Sequence, residues 1–459
     1  MNENVLSYLR DHRVAHVERA CEWLRIPSVS ADRQFDPHTT QAAQFIADHF
    51  KKIGLENITK LPTSAHDVIY ADWCHAPGKP TILFYGHYDV QPPDPIDQWK
   101  TPAFEPTERD GFLHGRGTAD DKGQVMMVCN ALEAWFGTQQ SLPVNIKCFI
   151  EGDEESGAAG SEALLREAKR LHCDAVLIAD SPWQSPTRPT IYFGARGLSY
   201  FDLTIEGTRT DLHSGMYGNL IRNPVNVLCD AIAGLRDDNG HITIPGFYDA
   251  VVHPTPQELA LLDETPVDAA AIAKTTGASA VVPPPKNLSL RAHLCTVPSF
   301  DVCGISGGYA GEGAKTIIPA RAKAKLSFRL VPNQDPHAIE NGLRTYLQEK
   351  LPPEVRFTLT TLNTGRAWAT PVDDPFLQTC AHTVSEFFGV KAALLRLEAS
   401  IPIVSTLFEV MQVPVILFGM GLPDDGIHSP FEKFSLDHYH RGAECYATLL
   451  HQLGQVRPQ

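Results

Sequence analysis

The chain of 459 residues has no apolar run approaching the ~18 residues of a membrane span. It is short of positive charge. The formal net charge of −15 argues against nucleic acid or an anionic membrane as the main partner. Its ten cysteines, at positions 21, 74, 129, 148, 173, 229, 295, 303, 380 and 445, form no C-x-x-C pair. Their scatter, with several such as Cys148 inside apolar runs, points to buried free thiols rather than disulfides or thiolate metal sites. H-E-x-x-H is absent, as are internal repeats and low-complexity tracts. The first residues carry no apolar signal core, so a cytoplasmic protein is expected.

What is present is ordinary for a globular protein, with 43% apolar and 20% charged residues. The length exceeds one simple core, so two domains are expected. Residues 1–25 and 39–54 read as helices, the second stopped by Gly54. Strands are expected at 81–86, 145–150, 175–179 and 413–418, with helices at 125–136, 160–171 and 435–454. This alternation implies an α/β domain with a mainly parallel sheet. Between about 191 and 365 the pattern changes. Residues 198–206 and 322–330 alternate apolar and polar, as antiparallel strands do, whereas 236–300 is irregular and rich in proline. The expected architecture is an α/β catalytic domain (1–190 and 366–459) interrupted by an inserted α+β lid or dimerisation domain (191–365).

The chemistry-bearing residues cluster where strands end. His87 closes the run 81–86, and Asp89, two residues on, is placed to orient its imidazole. Asp120 and Asp121 follow Gly115-Arg116-Gly117. Glu154 and Glu155 follow the strand at 145–150, Asp180 follows 175–179, and His428 lies in the loop after 413–418. Open α/β sheets build their sites at the carboxyl ends of strands. Two histidines among several carboxylates suit zinc, manganese or cobalt better than calcium, and two ions ~3.5–4 Å apart need about this many ligands. Two patterns mislead. Gly304-Ile-Ser306-Gly-Gly308 matches G-x-S-x-G, yet a loop follows it where a nucleophile elbow requires a helix. Gly311 to Thr316 imitates a phosphate loop with the wrong spacing.

Together, His87-x-Asp89, Gly115-Arg-Gly117 with Asp120-Asp121-Lys122-Gly123, Glu151 to Gly157, Asp180 and His428-Ser-Pro430 resemble the M20 family of co-catalytic zinc peptidases over nearly the whole chain. The resemblance implies two divalent metal ions, most often zinc, with manganese or cobalt as alternatives. It implies that His87 and Asp180 bind one ion, that Glu155 and His428 bind the other, and that Asp120 bridges them. It makes Glu154 the general base, Asp89 the orienter of His87, and Asp120–Asp121 a cis peptide. Asp211-Leu-His213-Ser-Gly resembles the carnosinase-like and Cys-Gly-type dipeptidase branch, in which the matching histidine reaches the partner subunit's active site. Arg329, Thr316 and Ser400 match that branch's substrate contacts, with Ala399 where glycine is common. The implied protein is a homodimeric dipeptidase acting on small peptides with His213 in trans. The rival is an N-acyl-amino-acid deacylase of the acetylornithine deacetylase or succinyl-diaminopimelate desuccinylase type.

Overall fold

A computed structural model describes residues 3–157 and 159–458. The chain divides into two compact units. The first comprises residues 1–194, 370–396 and 406–459, and the second 195–369 and 397–405.

The first unit is built on a mixed sheet. Seven of its nine strands among the described residues are β1 (Glu56–Leu61), β2 (Val68–Trp73), β3 (Thr81–His87), β4 (Asn145–Glu151), β5 (Ala175–Ile178), β6 (Thr190–Ala195) and β7 (Val415–Leu417), in spatial order β1-β2-β4-β3-β5-β7-β6. The central pairings β4–β3, β3–β5 and β5–β7 are parallel. Those that flank them, β1–β2, β2–β4 and β7–β6, are antiparallel. The parallel strands are apolar on both faces. Ile82, Leu83, Phe84 and Tyr85 of β3 are all buried, as expected for a strand covered on each side. The helix Lys122–Gln139 is buried at every position from Lys122 to Trp135 except Glu133, which is half-buried. It packs on the closing helix Leu436–Leu453.

Residues 3–24, within the stretch 1–25 expected as one helix, form two helices, Glu3–Asp11 and Arg13–Leu24. The break falls at His12, whose Nδ1 lies 2.8 Å from the carbonyl of Tyr8. All ten cysteines are free. Cys129, Cys148, Cys173, Cys295, Cys380 and Cys445 are buried, but Cys74, Cys229 and Cys303 are exposed. Among the described residues, no helix is long and apolar enough to cross a membrane.

The second unit is a four-stranded antiparallel sheet, in order Ser299–Gly307, Arg321–Leu330, Gly197–Glu206 and Arg356–Gly365. Period-two alternation buries one face: Phe201, Leu203, Ile205, Leu326 and Phe328 share a core with Leu228 and Leu343 of the helices Pro224–Ala233 and Pro336–Lys350. The proline-rich stretch is more regular than its composition suggests. It holds the short helices Pro256–Asp263, Ala269–Thr276 and Leu290–Thr296, capped by Thr255, Asp268 and Ser289. Thr255 and Glu258 form a reciprocal capping box.

Candidate metal centre

The parallel strands β3, β4, β5 and β7 all end at one edge, because parallel neighbours share a direction. His87 is the last residue of β3. Its ring is fully buried, and Nδ1 lies 3.0 Å from the Asp89 carbonyl and 3.4 Å from Asp89 Oδ1. With Nδ1 so engaged, Nε2 faces Asp120 Oδ1 at 3.1 Å and Asp180 Oδ2 at 3.8 Å. Asp120 Oδ2 meets His428 Nε2 at 3.0 Å, and that nitrogen is 3.2 Å from Glu155 Oε2. Two donor groups result, His87–Asp120–Asp180 and Asp120–Glu155–His428, each with ligand atoms within 4.8 Å of one another. Asp120 belongs to both.

The loops that carry these groups are held from behind. Asp89 is fully buried and accepts from the backbone N–H of Glu154 at 3.2 Å and of Glu155 at 3.0 Å, and from Ser30 Oγ at 2.7 Å. Asp121, across the cis peptide from Asp120, accepts from the His87 N–H at 3.1 Å. Gln91 Nε2 donates to Glu155 Oε2 at 2.7 Å. His428 sits in the left-handed region with φ 59°, where a non-glycine residue is strained and persists only if its surroundings hold it. Sequence reasoning singles out neither Ser30 nor Gln91, because each acts through a partner distant in the chain.

The electrostatics show what the cluster lacks. Burial first, then the charge of Asp120, raises Asp180 to about 7. Burial likewise pushes the Glu154 carboxyl well above its usual range, with Asp180, Glu155 and Asp120 adding repulsion against the opposing effect of His87. Burial would also raise Asp120, but its hydrogen bonds to His428 and His87 prevail and hold it low. The same bond, with that to Glu155, raises His428 to about 10. Glu155 Oε1 and Asp121 Oδ1 are buried with no hydrogen-bond partner. A crowd of buried carboxylates with unsatisfied oxygens and only two imidazoles fits divalent cations, and the nitrogen and oxygen donors suit borderline metals. Beside the cluster, Asp120 and Asp180 line a cavity of about 200 Å³ with Gln124, Ser181, Leu422 and Ile427.

A model of Peptidase family M20/M25/M40 matches residues 83–452. The chain belongs to this family. Its M20 relatives include the Cys-Gly metallodipeptidase dug1 of Schizosaccharomyces pombe, 31% identical over 99% of this chain and 98% of that protein. The Beta-Ala-His dipeptidase of Homo sapiens is also 31% identical, over 99% and 93% respectively. Among solved structures, the M20 metallo-carboxypeptidase Sso-CP2 of Sulfolobus solfataricus aligns with a TM-score of 0.85 at 28% identity, covering 96% of this chain and 99% of that one. An M20 member carries divalent metal, and the two donor groups are where this chain would hold it.

The remaining sequence candidates lie in the second unit. Arg329 Nη1 donates to Ser400 Oγ at 3.0 Å, and both residues are half-buried. Arg196, which the sequence reading passed over, donates through Nε to the Glu398 carbonyl at 2.8 Å. Burial, then the charge of Arg329, lowers its pKa. His213 is exposed and caps the short helix Ser214–Tyr217 through Nδ1, 3.1 Å from the Gly215 N–H. Thr316 is its neighbour, since the Thr316 carbonyl accepts from the Ser214 N–H at 3.0 Å. Ser306 lies exposed within the strand Ser299–Gly307, with no helix behind it, and is no nucleophile elbow.

Proposed function

We propose that the protein is a cytoplasmic, dinuclear metallodipeptidase that hydrolyses the peptide bond of unblocked dipeptides. The observation that carries this reading is the sharing of Asp120 by two three-residue donor groups, with the buried Glu154 carboxyl beside them. His87, Asp120 and Asp180 would hold one ion, and Asp120, Glu155 and His428 the other. Two divalent ions at these positions, zinc first and manganese or cobalt next, would lower the pKa of a water and polarise the scissile carbonyl. Glu154 takes the proton of the attacking water and delivers it to the leaving amine. Burial raises its pKa, the direction that makes a carboxylate a better proton acceptor. Asp89 fixes the His87 tautomer through Nδ1 and holds the backbone of Glu154 and Glu155.

The resemblance assigns the substrate's anchors to Arg329, Ser400 and Thr316. Arg329 offers a planar fork to a C-terminal carboxylate, with Ser400 and Thr316 as further donors. His213 is assigned to the oxyanion of the partner subunit's site in a homodimer, an assignment that rests on the resemblance of Asp211 to Gly218. The names of the fungal and human relatives favour dipeptides over N-acyl amino acids.

The test is hydrolysis of one unblocked dipeptide beside its N-acetylated counterpart, with enzyme stripped by chelator and reconstituted with zinc, manganese or cobalt. Cleavage of the free dipeptide alone, dependent on restored metal, is expected. Cleavage of the blocked compound alone would move the protein to the deacylases, and full activity without metal would overturn the centre.

A further inference from the structure

Arg116 and Glu432 are both buried, at 1% and 0% exposure, and neither belongs to a donor group of the centre. A buried ion pair is a poor stabiliser by itself, because desolvation offsets the attraction. Their hydrogen bonds show another use. Glu432 Oε2 accepts from Arg116 Nη1 at 2.7 Å. Its Oε1 accepts from the backbone N–H of Ala119 at 3.0 Å and of Asp120 itself at 3.2 Å. The Glu432 carbonyl accepts from the Gly115 N–H at 3.1 Å. Arg116 Nη2 donates to the Pro92 carbonyl at 3.1 Å, and the Trp99 ring lies 5.5 Å from the guanidinium carbon.

Three loops therefore meet on one ion pair. They are the loop that follows His87 and Asp89, the loop that carries Asp120, and the loop that carries His428, four residues before Glu432. We propose that the Arg116–Glu432 pair is a positioning device that sets the shared carboxylate Asp120 against His87 and His428, and so sets the affinity of both halves of the centre for divalent metal. The inference rests on the reading of Asp120 as the shared ligand. Asp120 must reach His87 at 3.1 Å with one oxygen and His428 at 3.0 Å with the other. A displacement of its backbone by a few tenths of an ångström lengthens one contact or the other. The charged acceptor on its own N–H limits that displacement.

The test uses metal-free full-length protein titrated with zinc ion against a chromophoric chelator, without substrate. Glu432→Gln keeps an acceptor for the two N–H groups and removes the charge facing Arg116. The pair Arg116→Met with Glu432→Gln removes both charges, so that an unpaired guanidinium cannot be the reason for an effect. Both are expected to bind zinc ~10–100-fold more weakly than the parent. A purely architectural pair would instead lower the melting temperature of the metal-free protein and leave the zinc constants unchanged. That result in the double variant overturns the proposal. Asp120→Asn, run beside them, separates the two readings. If it weakens zinc binding and the pair variants do not, only the positioning role falls. If it binds zinc like the parent, the shared-ligand reading falls and takes the positioning role with it.

Discussion

Gly123→Ala should cripple the centre although the new methyl would touch no ligand. Gly123 is the second residue of the helix Lys122–Gln139, and its N–H donates to the Gly117 carbonyl at 3.1 Å. A Cβ there would stand 1.8 Å from the carbonyl oxygen of Thr118, 2.9 Å from its carbon and 3.2 Å from Phe434 Cδ1. The nearest obstacle is backbone, so no rotamer change relieves it. Moving the oxygen from 1.8 Å to 3.0 Å requires a shift of 1.2 Å, two residues from Asp120. Misplacement of a catalytic group by ~1 Å costs on the order of 10²-fold in rate. Overpacking in a tight core adds about 1–3 kcal/mol of destabilisation. The expected result is a fall of about 10²-fold in dipeptide kcat/KM with weakened zinc binding, in protein that still folds. Gly304→Ala is the control for stability: a Cβ there meets nothing within 4 Å, and unfolding should move by less than about 0.5 kcal/mol. A Gly123→Ala enzyme with zinc affinity and kcat/KM within about twofold of the parent would refute the argument that helix packing places Asp120.

Glu154→Gln should lower kcat by roughly 10²–10⁴-fold while the bound metal, counted by elemental analysis, stays at the parental value; near-full turnover would remove Glu154 as the base. Arg329→Met should raise KM for a dipeptide by ~10–100-fold and have little effect on its C-terminal amide, because only the free carboxylate uses the charge-assisted bonds; equal losses on both would refute the carboxylate role. His16 and His49, in the helices Arg13–Leu24 and Asp36–Ile53, are buried with no hydrogen bond to Nε2, although that of His16 lies 3.9 Å from Glu133 Oε2. Burial first, then Arg19, lowers each imidazole to about 3; His12 and His440 add to this at His16, and Glu133 opposes it at His49. Both rings are neutral in the folded chain, whereas the unfolded chain protonates them below about 6.5. Their contribution to stability is therefore present above pH 6.5 and is lost as pH falls towards 3, at up to about 1.4 kcal/mol per pH unit for each. His49→Leu should flatten the fall of the urea midpoint between pH 6 and pH 4 relative to the parent, and an unchanged slope would show that this imidazole already titrates normally.

His87, Glu154 and Asp180 are legible in sequence because each stands at or just past the end of an apolar run, whereas Asp120 and His428 lie in loops and are legible only through their motifs. The sequence predicts a strand over 81–86, and the strand spans Thr81–His87; it predicts another over 175–179, and that strand spans Ala175–Ile178. A strand buried on both faces leaves a run of apolar residues, and the polar residue that ends the run stands out. Nothing comparable marks Glu432, whose partner Arg116 is 316 residues away, or Gln91, whose contact with Glu155 spans 64. The left-handed turn at His428 is not marked by its residue type either, and the break at His12 goes with a local contact between its ring and the Tyr8 carbonyl four residues back. The helices between 256 and 296 hid for a different reason. Each spans no more than eight residues, too short for a period to emerge, and their caps were the readable signal: Thr255-Pro-Gln-Glu258 spells a capping box. The antiparallel strands β2 and β6 are as apolar and buried as the central ones, so composition shows burial but not direction, whereas β1 is largely polar and exposed.

The acidic surplus at this edge divides into two kinds of carboxylate. Asp89 and Glu432 are both fully buried, and each accepts from two consecutive backbone N–H groups, those of Glu154–Glu155 and of Ala119–Asp120. In each case one member of the restrained pair belongs to a donor group, Glu155 in the first and Asp120 in the second. The same device thus occurs twice, with a desolvated carboxylate fixing the main chain while the side chains on that main chain keep oxygens for a cation. Asp120 and Glu155 could not hold their own loops and also present those oxygens, since each oxygen used internally is withdrawn from the donor set. Separating the two tasks explains why the edge gathers more carboxylates than its two donor groups use. It also explains why Asp89, two residues from His87, could be found from sequence, whereas Glu432 becomes visible only when the chain has folded.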